Sequence, residues 1–164
     1  MNVKTLVSAF AVAAMMSYGS TTAKAQTPRP EYPRPQFERS EWVNLNGTWT
    51  YSFDFGRTGR DKGWQNNASF DGKITVPFCP ESSLSGVKYT DFINTIWYQR
   101  KIDIPAAWNG KKILLNFGAV DYEAHVFIDG KLVRRHFGTG SSFSCDITKF
   151  VKAGQQHNLV VLVN

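Results

Sequence analysis

Acid–base, nucleophilic or metal chemistry in this 164-residue chain would have to be done by three histidines, two cysteines and a thin scatter of acidic residues. His125, His136 and His157 fall at strand or turn positions with no Cys or Asp pattern beside them, so no base–orienter set is visible. They are expected to be solvated or structural. Asp121 and Glu123 flank Tyr122 and would share one face of an extended strand. A sugar-cleaving carboxylate pair instead sits across a cleft, about 5 Å apart in retaining enzymes. Same-strand neighbours point in parallel, and this pair is expected to face water.

Cys79 and Cys145 have no further ligand residues at metal-binding spacing around them. They could form one disulfide in an oxidising compartment or remain two buried thiols, and sequence leaves both open. There is no G-x-S-x-G, no phosphate-cradling glycine loop and no H-E-x-x-H. No metal and no cofactor is expected.

Aromatic residues carry more signal. Five Trp, six Tyr and twelve Phe are abundant for this length, and aromatic faces stack on sugar rings as well as filling sandwich cores. Most are expected in the core. Tyr89 and Phe92 stand apart because they lie in a long connection, Cys79 to Asn94, together with Glu81, Asp91 and several serines. Connections of this length are commonly functional, or cover a neighbouring surface.

The elements that must hold that loop read as β almost throughout. Trp49, Tyr51, Phe53 and Phe55 alternate with Thr50, Ser52 and Asp54, the period of a half-buried strand. Ile96, Tyr98, Ile102 and Ile104 repeat the alternation with Arg100 on the same face, while Trp97 predicts some burial of the other face. Ile113 to Phe117, Ala124 to Ile128, Lys131 to Arg135, Phe143 to Ile147 and Leu159 to Val163 continue the series. Asp129-Gly130 is the best hairpin signal, since a type I′ turn needs positive φ at both central positions. Asn109-Gly110 and Gly138 to Gly140 mark further turns. Ile147, Phe150 and Val151 have helical spacing ahead of Gly154, and no long helix is predicted. Seven or eight short strands of this kind predict an all-β sandwich or jelly roll.

The ends carry their own signals. Lys4, an apolar run from Leu6 to Met16 and Ala23-Lys24-Ala25 have the layout of a secretory signal, with cleavage expected after Ala25. The run is about half what a bilayer core requires, so export without a membrane anchor is expected. Pro28, Pro30, Pro33 and Pro35 make residues 26–36 an extended leader. Beyond residue 25 the chain keeps 17 basic and 13 acidic residues. That mild excess is scattered, apart from Lys111-Lys112 and Arg134-Arg135, and argues against a nucleic-acid partner. The apolar run Val160 to Val163 stops at Asn164 without a tail or turn, which reads as a truncated chain.

Four segments, in order, point to one family: Trp42-Val43-Asn44-Leu45-Asn46-Gly47-Thr48-Trp49, Ile74-Thr75-Val76-Pro77-Phe78, Trp97-Tyr98-Gln99-Arg100, and Phe143 to Gly154 leading into Asn158-Leu159-Val160-Val161. Together they resemble the N-terminal sugar-binding domain of glycoside hydrolase family 2, which includes β-galactosidases, β-glucuronidases and β-mannosidases. The resemblance implies a galactose-binding-domain-like jelly-roll β-sandwich over residues 37–164. It also implies a following immunoglobulin-like domain and a TIM barrel bearing two catalytic glutamates. A TIM barrel takes about 250 residues, so no catalytic residue is assigned in this chain. In relatives with galactosidase activity a loop of the first domain reaches the edge of the barrel's active site. Residues 79 to 94 match it by position, giving Glu81, Tyr89 and Asp91 as substrate-binding candidates.

The expected function is therefore that of a non-catalytic front domain of an exported, β-galactosidase-like enzyme. Its expected partners are a terminal β-linked sugar and the later domains of the same polypeptide. The alternative is a free-standing secreted carbohydrate-binding module.

Overall fold

The structure, a computed structural model, describes residues 27–33, 36, 38–67 and 69–164. The expected signal segment lies outside the described residues, and the leader lies partly outside them. Eight strands follow one another: β1 (Gly47–Phe53), β2 (Gly72–Val76), β3 (Ile96–Asp103), β4 (Leu114–Phe117), β5 (Glu123–Ile128), β6 (Lys131–Phe137), β7 (Phe143–Asp146) and β8 (Gln156–Val163). The one α-helical turn among the described residues, α1, is Trp64–Asn67. Six strands form an antiparallel sheet in the order β2-β1-β3-β8-β5-β6, and β4 pairs with β7 in a second sheet. This is the expected jelly-roll β-sandwich.

Its main core lies between the sheets. Trp49, Ile74, Ile96, Ile102, Val126, Leu159 and Val161 are buried there with Ile113, Leu115, Phe143, Cys145 and Ile147 from the second layer. Alternation along β1 and β3 sends every second side chain inward. β8 departs from alternation because both of its faces are covered, so Leu159 to Val163 are all buried. The β5–β6 hairpin forms as expected, with Asp129 at φ 46° and Gly130 at φ 79° and Ile128 opposite Lys131.

A second, smaller core sits on the outer face of the large sheet. Trp97, Phe127, Val160 and Leu162 point outward there and are covered by Trp64 and Phe70 from the chain between β1 and β2. Asp54 winds that cover into place. Its carboxylate accepts from the N–H groups of Thr58 at 2.9 Å and Gly59 at 2.8 Å, and from Trp97 Nε1 at 3.1 Å. Gly59 has no room for a side chain, since a Cβ would lie 2.7 Å from Asp54, Trp64 and Trp97.

Three expectations are corrected. Phe55 does not continue β1; it follows Asp54 into the turn and is exposed. Ile147 to Val151 forms a hydrogen-bonded turn, Phe150 N to Ile147 O at 2.8 Å, not a helix. Cys79 is exposed and Cys145 buried, both free, so they are neither a disulfide nor two buried thiols.

Candidate functional site

Chain geometry and local hydrogen bonds build the 79–94 loop. A cis Val76–Pro77 bond closes β2, and the Phe78 N–H returns to Thr75 O at 3.1 Å. Ser82 caps a 3-10 turn, Ser83–Ser85, that Gly86 ends at φ 83°. Ser85 is buried: its hydroxyl donates to Ser82 O at 2.7 Å and accepts from Val87 N–H at 3.0 Å. Tyr89 N–H reaches back to Pro80 O at 3.0 Å. Each bond satisfies a backbone group that a long loop would leave open, so the loop is an ordered platform.

Tyr89 joins an aromatic row, its ring 4.7 Å from Phe53 and 6.1 Å from Phe55, with Tyr51 5.1 Å beyond Phe53. Glu81 is exposed and acts on the Tyr98 hydroxyl, whose pKa is raised first by burial and then by the charges of Glu81, Cys79 and Tyr51. Asp91 is exposed and has no hydrogen-bond or ion-pair partner among the described residues. The three candidates thus share one loop without sharing a contact. Leu84 and Phe92, 64% and 82% exposed, add apolar area beside them.

Sequence reasoning missed the polar couples on the other half of the fold. His125 Nε2 lies 2.7 Å from Glu123 Oε1, while Nδ1 faces the Arg60 guanidinium at 3.0 Å. Guanidinium only donates, so Nδ1 accepts and Nε2–H donates to the carboxylate. His157 pairs with Asp129 at 2.6 Å through Nδ1 and accepts the Lys152 N–H at 2.9 Å on Nε2. Both buried imidazoles have both nitrogens engaged, so neither of these two rings is a free base. His136 stacks on Phe143 with centroids 4.1 Å apart. Asp121 lies outside β5 and is exposed, whereas Glu123 faces this network, so the two do not form a pair. Burial works to raise the Asp129 carboxyl, but the bonds from Asn158 N–H and His157 outweigh it and hold it low.

Glu123 shows how the network responds to acid. His125, then Asn164 and Arg135, hold its pKa down at about 2 from 4.5 against the opposing effect of burial. A depressed carboxyl stabilises the fold above its unfolded value and loses that contribution as pH falls through its folded value. The contribution is therefore complete above about 4.5 and gone below about 2. In urea melts run from neutral pH downward, the stability gap between native chain and Glu123→Gln should narrow across that window; a gap independent of pH would show that the carboxylate charge does not matter.

The family model described as glycosyl hydrolases family 2, sugar binding domain, matches residues 42–164. A β-glucuronidase of Paenibacillus borealis is 27% identical over 128 residues, 76% of this chain and 21% of that protein. The β-glucuronidase of Felis catus is 31% identical over 127 residues, 71% of this chain and 19% of that protein. Among solved structures, the β-glucuronidase of Ruminococcus gnavus bound to D-glucaro 1,5-lactone superposes with a TM-score of 0.65 at 29% identity, covering 73% of this chain and 21% of that one. A Thermoanaerobacter pseudethanolicus β-galactosidase matches over only 46% of this chain. The likeness therefore leans to glucuronidases rather than to the expected galactosidases. The chain spans about a fifth of the length of these glucuronidases.

Proposed function

The chain belongs to glycosyl hydrolase family 2 through its sugar-binding domain, and on that premise we propose that it is the non-catalytic front domain of an exported, β-glucuronidase-like enzyme. The reaction of the whole enzyme is then retaining hydrolysis of a terminal β-linked glucuronide through a glycosyl-enzyme intermediate. Two glutamates on a barrel carried by the same polypeptide perform it, while the 79–94 loop offers Glu81, Tyr89 and Asp91 at the mouth of that site.

The observation that carries this reading is the sugar-binding-domain match over residues 42–164 alongside relatives that are mostly glucuronidases. The absence of catalysis by this domain alone is supported by its buried histidines, whose ring nitrogens are all committed to hydrogen bonds. Export is supported by the charged, apolar and small-residue order of residues 1–25.

The test is release of 4-nitrophenol from its β-glucuronide, β-galactoside and β-mannoside, measured for the 164-residue chain and for the full-length gene product. The chain alone should release none, and the gene product should favour the glucuronide. Turnover by the chain alone would overturn the reading.

A further inference from the structure

Half of the large sheet's outer face is covered by the Asp54-to-Phe70 segment and half is not. The uncovered half is a groove of about 410 Å³ whose floor is built by β1, β2 and β3 and whose edge is reached by Ser69. Two ladders set its grid. Lys73 pairs with Thr50 and Thr50 with Gln99, while Lys101 pairs with Asn158 one step further along. Lys73 and Lys101 therefore stand on opposite sides of Thr50, their Cβ atoms about 12 Å apart from strand spacing and rise. Their stems are long enough for both ammonium groups to reach one ligand.

The chemistry is one-sided. No carboxylate lines the groove, and neither lysine has an ion-pair partner among the described residues. Asp129 feels Lys101 only through its field. The polar groups between the lysines are ordered from below. Buried Asn158 accepts from Gln99 Nε2 at 3.0 Å, which fixes the amide and leaves Gln99 Oε1 free to accept. Thr50 Oγ1 donates to Gln99 O at 3.3 Å and keeps its lone pairs. Two cations flanking ordered hydroxyl and amide groups suit a ligand with one negative charge on a hydroxyl-bearing ring.

We propose that this groove binds the uronic-acid unit of an acidic glycan, with Lys73 and Lys101 holding the carboxylate and Gln99, Thr48 and Thr50 the ring hydroxyls. The choice of a sugar as the ring-bearing anion rests on the proposed glucuronide-cleaving function; the preference for an anion rests on the lysines.

Backbone amide NMR of the 164-residue chain titrated with methyl β-glucuronide, methyl β-glucoside and acetate tests it. The expected result is saturable shifts at Thr48, Thr50, Gln99 and Lys101 with the glucuronide, about tenfold tighter than with the glucoside. Acetate should bind more weakly than the glucuronide. Lys73→Gln combined with Lys101→Gln should remove that preference while the melting temperature stays put, since both side chains are exposed. Equal binding of glucoside and glucuronide, equal binding of acetate, shifts confined to the 79–94 loop, or an unaffected double variant would each overturn it. These outcomes are independent of the hydrolysis test: a gene product that prefers galactosides would refute the proposed function and leave the anion preference of the groove standing.

Discussion

Trp97→Ala is expected to lower the unfolding free energy by about 3–5 kcal/mol, the range for removing a large buried aromatic. Domains of this size hold only about 5–15 kcal/mol in all, so the variant should stand near the edge of unfolding. Trp97 is fully buried, set edge-on to Trp64 at 5.9 Å and stacked on Phe127 at 6.2 Å. Its indole N–H also satisfies Asp54, whose other bonds wind the cover of the outer core. Truncation thus opens a cavity and takes a donor from a buried carboxylate. Trp97→Phe keeps most of the packing and loses only the N–H, so it should cost less, about 1–3 kcal/mol. Urea denaturation followed by circular dichroism separates the three proteins. An unchanged midpoint for Trp97→Ala would contradict the outer core.

Arg100→Ala should cost about 2–3 kcal/mol, the scale of hydrogen bonds from a charged donor. Arg100 lies on the core-facing side of β3, where burial lowers its pKa. Its Nη1 donates to Leu45 O at 2.6 Å and Asn46 O at 3.0 Å, and the guanidinium lies 6.0 Å over the Trp49 ring. Removing it leaves the Asn46 carbonyl short of its side-chain donor, while Leu45 O keeps only the Trp49 indole N–H at 2.7 Å, and this loosens the segment that enters β1. Chymotrypsin should therefore cut at Trp42 and Leu45 faster in Arg100→Ala than in the native chain. Arg100→Lys, which cannot fork to two carbonyls, should fall between them. Equal cleavage of all three would show that the entry segment is held by other contacts.

The parts of this fold with a short sequence period were legible, and those that depend on distant pairing were not. Alternation in β1 and β3 placed Trp49, Tyr51, Tyr98 and Arg100 on one face, and Asp129-Gly130 placed the hairpin. Trp97 was read as half-buried because the two turns and short helix that cover it, residues 54–70, carry no apolar period. Phe55 fitted the alternation but lost its strand to the Asp54 turn. For the candidate loop, length gave its position, while the bonds of Ser82 and Ser85 that order it are local side-chain matters no pattern announces. Separation hid the Arg60 contact of His125, 65 residues away, and the Asp129 partner of His157, 28 away; Glu123 stands only two residues from His125, but alternation weighed it against Asp121 and not against the imidazole. The lysine groove was hidden likewise, since Lys73 and Lys101 meet only through the registers of two ladders.

The relative kcat/KM of the full-length gene product on 4-nitrophenyl β-glucuronide and β-galactoside bears most directly on the assignment to a uronide-cleaving enzyme. The expected result is a preference for the glucuronide of about a hundredfold or more, because a site that pairs a carboxylate rejects the analogue lacking it. A gene product that cleaves the galactoside equally well or better would contradict the assignment.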